Sequence, residues 1–79
     1  MTRELNEVLL SVSTITGRQL ESLEADTLIE DLGLDSLDEV EILMTLEEKL
    51  DVVMDQTQVN SCRTLGELAE LIETFRRNC

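Results

Sequence analysis

The sequence predicts an all-α fold: a small bundle of three main helices plus one short helix, with a long ordered connection between the first and second helices. Three observations carry this. Apolar residues recur at helical spacing in three separate stretches, running from Leu5, from Leu37 and from Leu65. Each stretch follows a residue able to cap a helix: Thr2, Asp35 or Ser36, and Thr64. The brief apolar segment Asp51-Val52-Val53-Met54-Asp55 could be read as a strand, but it has no partner strand. A chain of 79 residues is expected to form one domain, 1–79, near the lower size at which a single core suffices without staples.

In the first stretch Leu5, Val8, Leu9, Val12 and Ile15 lie within roughly 120° of arc at about 100° per residue. Thr2 is the expected N-cap and Gly17 the stop, and Leu10 falls outside the arc and should be partly exposed. Residues 18–35 follow. A structureless loop of that length is unusual in a compact domain. This one carries Leu20, Leu23, Leu28, Ile29, Leu32 and Leu34, which should pin it onto the core. Thr27 and Glu30 repeat the capping-box spacing, so a short helical turn is expected near Leu28 to Asp31. Gly33 is expected to supply a backbone geometry that other residues resist.

The second helix should run from about Ser36 to Leu50. Ser36 with Glu39 fits the S-x-x-E capping box, and Asp35 could cap instead. Either choice puts the Ser36 hydroxyl at a helix N-terminus, beside unbonded backbone N–H groups and the positive end of the dipole. The short third helix is expected at about Thr57 to Ser61, with Val59 and Cys62 facing inward. Thr64-Leu65-Gly66-Glu67 is a further capping box that opens the last helix. There Leu65, Leu68, Ala69, Leu71, Ile72 and Phe75 share one broad face, and Arg76 and Arg77 fall where they complement the dipole.

The second helix carries two apolar stripes. Ile42, Leu43, Leu46 and Leu50 form an ordinary core face. Leu37, Val40 and Met44 fall roughly opposite, sharing their side with Glu41, Glu47, Glu48 and Asp51. An apolar stripe ringed by one sign of charge reads as a docking surface; the plainer alternative is a wide buried face with solvated acids at its edge. On the docking reading, charge reversal at Glu41 or Glu47 should slow partner reactions far more than it alters stability.

Eighteen acids against six bases give a net charge of −12, which argues against nucleic-acid binding and against anionic membrane surfaces and suits basic partners. No apolar run approaches membrane-spanning length, and Met1-Thr2-Arg3-Glu4 does not read as a signal peptide, so a cytoplasmic setting is expected. Oligomeric state is open on the sequence, with monomer the default at this net charge. Cys62 and Cys79 form no metal or redox spacing; Cys62 should pack as a small apolar residue and Cys79 should be a free terminal thiol. No D-x-D-x-D-G loop exists for calcium. A serine nucleophile needs a general base, usually histidine, and the chain has none, so an autonomous hydrolase is not expected. Ser36 can still be acted on by an enzyme that brings its own base and metal.

Glu30-Asp31-Leu32-Gly33, Asp35-Ser36-Leu37-Asp38, Val40-Glu41 and Leu46-Glu47-Glu48 together resemble the signature of acyl carrier proteins. The resemblance covers nearly the whole chain in length and element order, with its specific residues between Glu30 and Asp51. It implies that Ser36 receives 4′-phosphopantetheine from coenzyme A through a Mg²⁺-dependent phosphopantetheinyl transferase. It also implies that the thiol of this arm carries acyl groups as thioesters. By position, Asp35 and Asp38 would contact the transferase. Leu37, Val40, Glu41, Met44, Glu47 and Glu48 would meet basic patches on acyl-processing synthases and transferases. The pattern departs at Leu50, where phenylalanine is frequent, at Met54-Asp55 in place of a common Ile-Pro, and in the tail from Phe75 to Cys79. These departures leave the cargo open between fatty-acid synthesis and a specialised pathway such as polyketide or modified-lipid assembly. Two alternatives stand beside it: an aminoacyl or peptidyl carrier, which usually has a glycine-rich approach to the serine in place of Leu34-Asp35, and an unmodified acidic helical adaptor in which Ser36 is only a cap.

Overall fold

A computed structural model describes residues 2–77, and for Arg77 the backbone only. Four helices follow in order: α1 (Arg3–Thr16), α2 (Ser36–Leu50), α3 (Gln56–Asn60) and α4 (Leu65–Arg77), with no strand among the described residues. The ends of α1 form as local chemistry dictates. The Leu5 N–H donates to Thr2 Oγ1 at 3.1 Å, and Gly17 adopts φ +77°, its N–H returning to the Ser13 carbonyl. Leu10 is half-buried, as its place outside the main arc requires.

α1 packs against both α2 and α4. Val8 and Val12 of α1, Leu46 of α2, and Leu65 and Ile72 of α4 meet at the centre with essentially no exposure. Truncating Leu46 there would remove a fully buried side chain, a change that costs about 2–5 kcal/mol in such cores. The expected stripe of Ile42, Leu43, Leu46 and Leu50 is buried throughout. Ser11 is also buried, on the inward side of α1, and its hydroxyl has no hydrogen-bond partner among the described residues.

The connection between α1 and α2 is ordered, as expected, but not quite by the expected contacts. It contains two 3₁₀ turns, Leu20–Ser22 and Ile29–Leu32; the first has no sequence signal, and the second begins one residue late. The Thr27 capping box does not form. Leu28 precedes the second turn without a side-chain cap, and Thr27 Oγ1 accepts instead from the Glu24 N–H at 2.8 Å. Leu23 and Leu32 are buried and Leu20, Ile29 and Leu34 pack on the core, but Leu28 is 38% exposed. Backbone bonds pin the segment to Arg63 and to the first two residues of α4. Ile29 N–H donates to the Arg63 carbonyl, Leu65 N–H to Thr27 and Gly66 N–H to Ala25, at 2.8, 3.1 and 2.7 Å. These satisfy main-chain groups that a buried loop would otherwise leave unpaired.

After α2 the chain turns at Asp51, which sits in the left-handed region at φ +53°. From that turn the segment 52–55 runs on as irregular chain, forming neither a strand nor a helix before α3. α3 starts at Gln56, one residue before the expected position, because Asp55 caps it: the Thr57 N–H donates to Asp55 Oδ1 at 2.9 Å. Val59 and Cys62 pack against the core as expected. The Thr64–Glu67 box forms with one change. Thr64 Oγ1 accepts from the Glu67 N–H, but the Glu67 carboxylate reaches back to the N–H of Arg63. Arg76 pairs with Glu4 of α1 and so ties the far end of α4 to the start of α1, a longer-range role than serving the dipole of its own helix. The Arg77 side chain and the Cys79 thiol lie outside the described residues, and Cys62 is a free thiol.

Candidate functional site

Ser36 is the first residue of α2, and its side chain is exposed. The choice between two caps falls to Asp35. Its Oδ1 accepts from the Asp38 N–H at 2.8 Å, and its carbonyl accepts from Glu39. Glu39 makes no return bond, so the S-x-x-E box is not used and the Ser36 hydroxyl is left uncommitted among the described residues. The amides of Ser36 and Leu37 are first-turn donors with no acceptor among the described residues, as helix geometry requires of this end. Asp38 is half-buried at the cap.

Two features hold the approach to Ser36. Gly33 adopts φ +66° and ends the second 3₁₀ turn with open space around its Cα, so backbone geometry and not crowding requires glycine there. The guanidinium of Arg18 donates to the carbonyls of Leu32 and Asp31 at 3.2 and 3.5 Å. Sequence reasoning missed Arg18, because nothing local marks a partner so far along the chain.

The second stripe of α2 faces solvent. Leu37 is 65%, Met44 62% and Val40 47% exposed, and Glu41 and Glu48 stand exposed around them. The exposed apolar surface continues into the next turn through Val53, at 85% exposure, which periodicity could not assign. Glu47 differs from its neighbours. It is half-buried, and its Oε2 accepts from the Met54 N–H at 2.9 Å, bridging α2 to the turn before α3. The expectation that reversal at Glu47 spares stability therefore does not carry over from Glu41, whose side chain makes no such bond.

A cleft of about 780 Å³ begins beside this helix start. Gly33, Leu34 and Glu39 line its near end, and it continues between α2 and α3 toward the start of α4. Its volume falls in the range of small-molecule sites, roughly 300–1,000 Å³. Cys62 lines it as well. Burial, and then the negative charge of Glu67, push the Cys62 thiol above the ordinary cysteine range, and its S–H points to the Gln58 carbonyl at 3.7 Å. Among the described residues no group of His, Cys, Asp and Glu is arranged to hold a metal, and no helix is long and apolar enough to cross a membrane.

A phosphorylated arm suits this place. The serine oxygen is accessible, two unpaired amides and the helix dipole favour a phosphate, and a cleft starts within a few residues. Asp35 and Asp38 oppose a phosphate by charge, but Asp35 is already engaged as the cap.

Residues 6–72 match the family model described as a phosphopantetheine attachment site. The chain is 43% identical over 72 residues to a chloroplastic acyl carrier protein of Brassica napus, across 85% of this chain and 54% of that protein. It is 35% identical over 77 residues to acyl carrier protein 2 of Spinacia oleracea, across 91% of this chain and 59% of that one. The chain thus spans about half the length of the plant relatives it matches. Against the acyl carrier protein of Wolinella succinogenes it is 32% identical over 71 residues, across 90% of this chain and 91% of that protein. The domain matched is one that carries covalent 4′-phosphopantetheine, and on these matches the chain belongs to the acyl carrier protein family.

Proposed function

We propose that the chain carries acyl groups as thioesters on a 4′-phosphopantetheine arm attached to Ser36, moving intermediates between enzymes of fatty-acid, polyketide or related lipid synthesis. The observation that carries this is the uncommitted hydroxyl of Ser36: a helix-start serine whose capping task has been taken by its neighbour. The arm, when bound, supplies the thiol that holds the cargo. The chain's own residues accept the phosphate, present it and dock the enzymes that use it. With no histidine in the sequence, the base for attachment must come from a phosphopantetheinyl transferase, so the chain is a carrier and not a catalyst.

On this reading Asp35 and Asp38 meet the transferase. Leu37, Val40 and Met44 seat against apolar side chains of synthases and acyltransferases, while Glu41, Glu47 and Glu48 face their basic patches. Charge at −12 favours fast, salt-sensitive encounters with such partners. A cytoplasmic setting, with the chain acting as a monomer, belongs to the same reading.

Intact mass, measured before and after incubation with coenzyme A, Mg²⁺ and a broad-specificity phosphopantetheinyl transferase, tests it. A single added arm that disappears in Ser36→Ala is the expected result. A folded protein that takes no arm would overturn the proposal and favour an acidic adaptor.

A further inference from the structure

The chain that leads into Ser36 is held by few contacts of its own. Leu32 is buried, Leu34 packs on the core, and Asp35 is fixed as the cap of α2. Gly33, between them, has open space where a Cβ would stand, and its N–H reaches the Glu30 carbonyl only at 3.5 Å. Its φ of +66° depends on how the Leu32–Gly33 peptide plane is turned, and glycine lets that plane swing at little cost. Whatever fixes the Leu32 carbonyl therefore fixes the start of the approach to Ser36.

Arg18 does this from the end of α1. Its Nη2 donates to the Leu32 carbonyl at 3.2 Å and to that of Asp31 at 3.5 Å. No other donor reaches either oxygen among the described residues. The main chain of Arg18 is held in turn by the hydroxyls of the last turn of α1. Its N–H donates to Thr16 Oγ1 at 3.3 Å, and the Ser13 hydroxyl donates to its carbonyl at 2.7 Å. α1 is thus the anchor and the guanidinium the strut. The choice of partner is informative as well. The chain has eighteen acids, yet Arg18 makes no ion pair among the described residues. A guanidinium that served only charge balance would have many carboxylates to meet, whereas this one holds two main-chain oxygens.

We propose, resting on the carrier reading above, that Arg18 is a positioning residue for arm attachment: by holding the Leu32 and Asp31 carbonyls it keeps Ser36 in the conformation that the transferase accepts. In the attachment step Ser36 Oγ bonds to the coenzyme A phosphorus nearest pantetheine, adenosine 3′,5′-bisphosphate leaves, and the serine proton passes to the transferase's base. Arg18 acts on this step through the backbone, since its donors are engaged upstream of Ser36. Without the strut, the approach samples other orientations of the Leu32–Gly33 peptide. The accepted conformer then becomes a fraction of the whole, and apparent affinity falls by that fraction while the bound complex reacts as before.

The test follows the rate of arm attachment with coenzyme A, Mg²⁺ and a broad-specificity phosphopantetheinyl transferase, varying the concentration of the carrier chain. Arg18→Met keeps an apolar stem and removes the donors. Its KM should rise roughly three- to tenfold, the span one hydrogen bond allows, with kcat within about twofold of the unaltered chain. Arg3→Met removes an exposed cation elsewhere and should match the unaltered chain. The gap should persist in about 0.5 M salt, where exposed charges act over only a few ångströms. Arg18→Lys, with a donor on a shorter stem, should recover part of it. A merely structural role would lower the urea midpoint of Arg18→Met and leave KM alone, since nearly every molecule is still folded under assay conditions. An unmoved KM in Arg18→Met, or a rise that Arg3→Met shares or that salt abolishes, would overturn the inference while the carrier reading stands. If the unaltered chain takes no arm, intact mass reports it first, and the carrier reading falls together with this inference.

Discussion

Glu47 separates two roles that its neighbours keep apart. It stands on the acidic face of α2, yet its carboxylate accepts the Met54 N–H at 2.9 Å in a half-buried setting. Replacing it with alanine removes a charge-assisted hydrogen bond and leaves a main-chain donor without a partner. Bonds to charged groups contribute about 1.5–3 kcal/mol net. Loss of one negative charge from a crowded acidic face returns a few tenths of a kcal/mol. The expected net loss for Glu47→Ala is therefore about 1–3 kcal/mol, a fall in melting temperature of roughly 4–24 °C for a domain this size. Glu41→Ala and Glu48→Ala, both at exposed positions, should stay within ~0.5 kcal/mol and supply the baseline for charge relief. Glu47→Gln keeps an acceptor oxygen and should recover part of the loss. The assay is urea denaturation followed by circular dichroism, at one fixed ionic strength, with partner turnover measured in parallel. Glu41→Lys should slow turnover with little change in stability, whereas Glu47→Lys should lose both. A Glu47→Ala protein as stable as Glu41→Ala would refute the reasoning, since the bond to Met54 would then contribute nothing.

Four further outcomes are expected. Gly66→Ala would set a Cβ 2.9 Å from the Ala25 carbonyl oxygen and strain the bond that pins the connection. Helix propensity alone would make this change favourable by up to ~1 kcal/mol, so a loss of about 1–3 kcal/mol in urea melts reports the contact, and a gain would count against it. Ser11→Ala should be neutral or stabilising by up to ~1 kcal/mol, since the hydroxyl is buried without a partner; a clear loss would mean that it has one. Glu4 titrates below the ordinary glutamate value, because its own backbone N–H and the Arg76 guanidinium favour the carboxylate more than burial opposes it. Its contribution is thus present above the ordinary glutamate range and lost as pH falls through the lowered folded value. The stability gap between wild type and Glu4→Gln should close on acidification, and a gap that widens there would reverse the assignment. Cys62, in a Cys79→Ser background, should react with iodoacetamide at pH 8 more slowly than glutathione and speed up in urea, because burial holds its thiol protonated. Equal rates folded and unfolded would show that burial does not protect it.

The sequence by itself determined what depends on neighbours along the chain. Thr2 and Gly17 bound α1, Gly33 takes the left-handed turn, and periodicity sorted α2 into a buried stripe and an exposed one, because each of these is settled within a turn or two of helix. Ser36 was marked for the same reason: a serine at a helix start, set in a motif that spans few residues. It could not settle which side chain caps α2, since Asp35 and Ser36 are both competent and only the observed backbone favours Asp35. The tertiary structure alone decided everything that joins distant residues. Arg18 holds the carbonyls ahead of Ser36, Gly66 meets Ala25, and Arg76 meets Glu4. Glu47 turned from a surface acid into a brace for the same reason, and the cleft is lined by residues that α1, the connection, α2, α3 and α4 bring together. A helical period records which face is apolar, but it says nothing about which distant groups that face will meet, because those pairings are chosen by packing.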